Sequence, residues 1–141
     1  MVENFGGILN LIIWVLAGLG AGYYAYRCLF DVRGMIDQYG VGDGSAFVIT
    51  LVGTFAGAGF IMSLVILFFG PHGAWAFVTY SFVQSVLGAI FGYKIVKSSW
   101  AEVNGVKMTA EIWISPLIFT ILFGFLLFNM KDILYATQAS V

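Results

Sequence analysis

Charged side chains are scarce in this sequence: six Lys or Arg and seven Asp or Glu in 141 residues, 9% of the chain, against roughly 25% in an average soluble domain. Too little charge remains to cover a water-soluble surface of that size. The net charge of −1 leaves out nucleic acid as a partner, which would require a basic face. Cysteine is reduced to Cys28 and histidine to His72. An internal disulfide is therefore excluded, and neither a metal set nor a nucleophile with an adjacent base can be assembled. Asp, Glu, His and Lys are missing from the middle of every long apolar stretch, which argues against a proton pump or an ion-coupled antiporter. The opening Met-Val-Glu-Asn-Phe lacks the positive region of a cleavable signal, so the first apolar stretch is expected to be retained.

Apolar residues are abundant, at 61% of the chain, and they gather into four runs at about 8–28, 46–69, 74–95 and 112–130. Each approaches or exceeds the ~20 residues that cross about 30 Å of hydrocarbon as a helix. A barrel strand would alternate polar and apolar over about ten residues, whereas Leu64 to Phe69 is unbroken apolar. The expected fold is an all-α membrane protein, a single domain over 1–141 with four transmembrane helices in an antiparallel bundle. Of the six basic residues, Arg27, Arg33, Lys94, Lys97 and Lys107 lie at the two longer loops, and only Lys131 lies on the side of the termini and the 70–73 turn. Basic residues near span ends stay in the cytoplasm. Both termini are thus expected on the outer (periplasmic) face of a bacterial inner membrane. Trp75 marks the outer boundary, and Trp100, Trp113, Tyr23, Tyr24, Tyr26 and Tyr93 the inner one. Trp14 lies too deep for a belt residue and is expected to pack on a neighbouring helix or an acyl chain.

The loops carry local signals. Val32, Met35, Ile36 and Tyr39 follow the spacing of an amphipathic helix, so 31–39 is read as a short interfacial helix. The glycines of 40–44 lack the Lys-Ser/Thr of a phosphate-binding loop and read as a turn, with Asp43 or Ser45 placed to cap the second span. The link 70–73 contains His72, a solvated turn residue, and is so short that the second and third spans are expected to be neighbours. Val103-Asn-Gly-Val106 is a hairpin signal, giving a small hairpin over 100–109 in which Val103 faces Val106 and Glu102 faces Lys107. Pro116 comes early in the fourth run, so its helix is expected to begin near Ser115.

Small side chains form the most specific internal pattern. Ala17, Ala21 and Ala25 with Gly18 and Gly22 mark the first span, and Gly53, Gly57 and Gly59 the second. Ser81, Ser85, Gly88 and Gly92 mark the third. Such spacing lets helix backbones approach closely where lipid removes the hydrophobic drive. The fourth span is large on every side except at Gly124 and reads as a peripheral, lipid-facing helix. Thr79, Ser81, Gln84 and Ser85 make the only polar cluster at depth, and the face of Ser81, Gln84 and Ser85 is either interhelical glue or the lining of a polar path.

No cofactor motif and no catalytic set follow from these residues. Small four-span enzymes and exporters are excluded alike: glutathione- and leukotriene-type enzymes need charges within their spans, small multidrug exporters need a glutamate in the first, and vitamin-K-type quinone oxidoreductases need paired cysteines. The expected function is that of a non-catalytic accessory or scaffolding subunit, in contact with membrane lipids, that self-associates or joins a larger membrane complex. Two alternatives stand beside it. One is a small homo-oligomeric channel or transporter for a neutral or small solute; the other is a quinone- or pigment-binding membrane protein.

Overall fold

The structure, a computed structural model, describes residues 1–136 apart from the side chains of Trp100 and Val103. The expectation for the Trp100 ring therefore lies outside the described residues. Four long helices dominate: α1 (Ile8–Phe30), α3 (Ala46–Phe69), α4 (Trp75–Val96) and α5 (Glu111–Asn129), with the short α2 (Val32–Tyr39) and α6 (Lys131–Leu134). All four long helices have the length and apolar composition to cross a membrane. Unbroken runs of Leu, Ile, Val and Phe leave the backbone no competing polar partner, so each stretch satisfies its peptide groups internally. A two-stranded hairpin, β1 (Glu102–Val103) and β2 (Val106–Lys107), joins α4 to α5.

Boundaries differ from the sequence expectation where a local interaction extends or moves a helix. Past residue 28, α1 continues to Phe30, and Arg27 ion-pairs with Asp31 one turn on at 2.7 Å. Asp31 in turn caps α2, its carboxylate accepting from the Gly34 N–H at 3.3 Å. Neither Asp43 nor Ser45 caps α3. Asp43 instead accepts from Arg33 at 2.9 Å, and the Ser45 hydroxyl donates to the Gly42 carbonyl at 2.6 Å. The fourth helix starts at Glu111, not near Ser115, so Pro116 lies inside it.

Helix partners are chosen by side-chain shape more than by connectivity. α3 packs along α1, and α4 along α5, while an α1–α5 contact joins the two pairs. The short link 70–74 does not make α3 and α4 pack along each other, contrary to the expectation drawn from its length. α5 touches both α1 and α4, yet Leu126 is its one buried residue, so most of its surface is left open, as expected of a lipid-facing helix. The α1–α3 register runs from Gly18 opposite Ser63, through Gly22 opposite Phe60, to Cys28 opposite Gly53.

The two ends of the molecule are built differently. At one end Phe5, Trp14, Ile66, Val78, Leu126, Met130 and Leu134 form a single buried cluster. Pro71 is also fully buried, and Trp75 stacks on Tyr135 with ring centroids 5.7 Å apart. Both described termini and the α3–α4 link thus meet around one apolar plug. Asn10 closes it from within, donating to the Phe5 carbonyl at 2.8 Å. The opposite end holds α2, the hairpin and most of the charges. Met35 and Ile36 of α2 are buried, as its amphipathic spacing requires. The hairpin has the expected register, Glu102 opposite Lys107 and Val103 opposite Val106. Asn104 and Gly105 both have positive φ, 50° and 79°, the geometry that an Asn-Gly type I′ turn needs. Asn104 Nδ2 donates to the Gly40 carbonyl at 2.8 Å, tying the hairpin to the end of α2.

Candidate functional site

Two helix seams and one charged end concentrate the residues singled out in the sequence. In the α1–α3 seam, a Cβ added at Gly18 would lie 2.9 Å from Ser63 Oγ, and one at Gly22 would lie 2.9 Å from the Phe60 ring. Gly53 faces Cys28, where an added Cβ would come within 2.7 Å of the Cys28 Cβ. Gly57 makes only ordinary contact with Leu29, 3.6 Å away, and Gly59 meets nothing within 4 Å. Trp14 locks this seam. Its ring is 3% exposed, it lies between Phe5 and Phe77, and its indole N–H donates to the Ser63 carbonyl at 3.0 Å. Beside it, between Gly18 and Phe60, lies an apolar notch of about 50 Å³. Ligand pockets begin near roughly 300 Å³, so the notch admits no quinone or pigment ring.

The α4–α5 seam explains why Gly88 and Gly92 are four apart. Pro116 has no N–H to give the Ile112 carbonyl one turn earlier. That carbonyl faces Gly92, where a Cβ would sit 2.8 Å from its oxygen, and the Pro116 ring seats on Gly88, with 3.1 Å between its Cβ and one added there. The two glycines thus make a flat strip on which the proline turn of α5 lies. Further along, Phe82 packs over Gly124.

The polar cluster divides. Ser81 and Ser85 are buried, and each hydroxyl donates to a carbonyl of its own helix, Ser81 to Phe77 at 2.9 Å and Ser85 to Phe82 at 2.8 Å. The Thr120 hydroxyl lies 3.1 Å from Ser85 Oγ and 3.0 Å from the Pro116 carbonyl, so its one hydrogen serves one of them at a time. Gln84 is exposed and does not share their face.

One packing residue escaped the sequence reading. Gly20 lies under Phe119 of α5, whose ring would be 2.6 Å from an added Cβ, and so forms the bridge between the two helix pairs. Its signal was present in the alternation Gly18-Leu-Gly20-Ala-Gly22. At 100° per residue, Gly20 stands on the far side of α1 from its two neighbours.

At the charged end the arginines are engaged. Arg27 pairs with Asp31 and donates to Gln38 at 2.9 Å; Arg33 pairs with Asp37 at 3.2 Å and with Asp43 at 2.9 Å. Tyr39 is held above the ordinary phenol range, first by burial and then by the negative charge of Glu111. The lysines are placed otherwise. Lys94 Nζ lies 5.3 Å from the Phe91 ring centroid and Lys97 Nζ 5.8 Å from that of Tyr93, and Tyr93 meets Trp113 edge-on at 5.6 Å. Among the described residues no group of His, Cys, Asp and Glu is arranged to hold a metal ion. Set against known protein families, curated proteins and solved structures, the chain matches none of them.

Proposed function

We propose that this chain is an integral protein of a bacterial inner membrane, a single domain of four spans in an antiparallel bundle, acting as a non-catalytic accessory or scaffolding subunit. The falling register of α3 against the rising register of α1, Gly18 with Ser63 and Cys28 with Gly53, supports the antiparallel arrangement. The large apolar side chains left exposed along the spans, among them Leu19, Phe55, Ile61, Tyr80 and Ile121, support lipid or subunit contact, since in water they would form a continuous hydrophobic surface. Charge placement supports termini on the outer face.

The observation that carries the non-catalytic reading is the direction of the buried serine hydroxyls within the spans, although Thr79 Oγ1 is buried without a partner among the described residues. Ser63, Ser81 and Ser85 all return their hydrogens to carbonyls of their own helices. Hydroxyls so occupied offer little to a passing solute, and the hydroxyl contact that crosses between helices is Thr120 with Ser85. The close-packing glycines Gly18, Gly53, Gly88 and Gly92 are likewise consumed inside the chain, so partners meet the outer apolar faces. The test is native mass spectrometry of the protein extracted in mild detergent from its own membranes. Co-purification of larger, different subunits is the expected result. A solute flux in liposomes that Gln84→Leu abolishes would replace this reading with a transporter.

A further inference from the structure

The five basic residues at the charged end are not equivalent; one of them, Lys107, stands opposite Glu102 across the hairpin. Arg27 and Arg33 are neutralised by Asp31, Asp37 and Asp43, all carried on or beside α2. Lys94 and Lys97, on the last turn of α4 and just beyond it, have no carboxylate partner among the described residues. Both are exposed. Their ammonium groups lie over the aromatic rings of Phe91 and Tyr93, and the Tyr93–Trp113 pair stands beside them. Amphipathic rings of this kind seat at headgroup depth, and long basic side chains reach from there toward charge at the surface. The charged end is thus split into a self-compensated half around α2 and an uncompensated cationic half at the end of α4.

We infer that Lys94 and Lys97 form a binding site for the phosphate headgroup of an anionic phospholipid of the inner leaflet. The inference rests on the membrane reading above. Charge complementarity selects the occupant: two exposed ammonium groups, with no carboxylate partner among the described residues, lie against rings of the kind that seat at headgroup depth. Each basic residue near an anionic surface favours association about five-fold, so the pair is worth a preference of about thirty-fold. The C-terminal carbonyls of α4 also favour cations there, but that attraction alone gives no selectivity among lipids.

The experiment reconstitutes the full chain into vesicles of phosphatidylcholine containing a minority of phosphatidylglycerol, then releases it for native mass spectrometry and counts retained lipids of each kind. The wild type is expected to retain phosphatidylglycerol well above its share of the bilayer. The Lys94→Gln/Lys97→Gln variant is expected to lose most of that enrichment, and Lys131→Gln, at the opposite end, to keep it. Equal enrichment in wild type and double variant overturns the inference. So does displacement of the lipid by inorganic phosphate alone, which would mark a site for free anion. Flotation of the vesicles separates the two levels of failure: a chain that stays behind as they float contradicts the membrane reading itself, whereas one that floats without lipid preference contradicts only the lipid site.

Discussion

Gly92 and Gly59 look alike in the sequence, each a glycine inside an apolar helix, yet their surroundings give opposite expectations. At Gly92 an added Cβ meets a backbone oxygen, that of Ile112, at 2.8 Å, and backbone cannot swing aside. Gly92→Ala is expected to destabilise the protein by about 1–3 kcal/mol, the usual cost of overpacking. At Gly59 the space is open, so Gly59→Ala is expected to be neutral or to stabilise by up to about 1 kcal/mol through helix propensity. Thermal unfolding of both variants in one detergent checks the contrast; equal shifts would remove the role given to the Ile112 carbonyl. Tyr39 provides a pH-dependent case. Because its folded pKa is raised, its contribution to stability is complete below the ordinary phenol range and is lost as pH rises through the folded value. Phenolate absorbance during an alkaline titration should contain a late-ionising component that Tyr39→Phe removes, and Glu111→Gln should shift that component to lower pH.

Among elements, the seams are the units whose strength can be read separately. Trp14→Phe keeps most of the ring packing among Phe5 and Phe77 and removes the bond to the Ser63 carbonyl. A loss of about 1 kcal/mol is expected, measured as a lower unfolding midpoint, with no change in helix content. The hairpin is held to α2 through Asn104, so Asn104→Ala should speed proteolysis in residues 100–109 while leaving the four long helices protected. How much of this was legible in the sequence depends on the range of the interaction. The helices, the amphipathic α2 and the Asn-Gly hairpin rest on local periodicity and local φ, and each is present, with the end of α1 and the start of α5 displaced. Helix pairing is non-local. A short link suggests that α3 and α4 lie together, but the complementary shapes belong to α1 with α3 and to α4 with α5. The start of α5 differs for a related reason: Pro116 leaves the Ile112 carbonyl without its intrahelical donor, and the room for that turn comes from Gly88 and Gly92 on another helix. The polar cluster on α4 was legible as a composition, while the separation of Gln84 from Ser81 and Ser85 depends on which face α5 covers.

For the whole molecule, the two ends define the reading. One end closes around Phe5, Pro71, Met130 and Leu134, bringing both described termini and the α3–α4 link together; the other gathers α2, the hairpin and five of the six basic residues. In the proposed topology the four spans put these ends on opposite sides of a bilayer and both termini on one side, with the basic end in the cytoplasm. Site-directed labelling tests that most directly. In a Cys28→Ser background, single cysteines are introduced by Glu3→Cys, His72→Cys and Thr109→Cys, and intact spheroplasts are treated with a membrane-impermeant maleimide. Labelling of the first two, with the third protected until the membrane is permeabilised, is the predicted result. Labelling of Glu3→Cys and His72→Cys from opposite sides, or of all three from outside, would contradict the four-span topology.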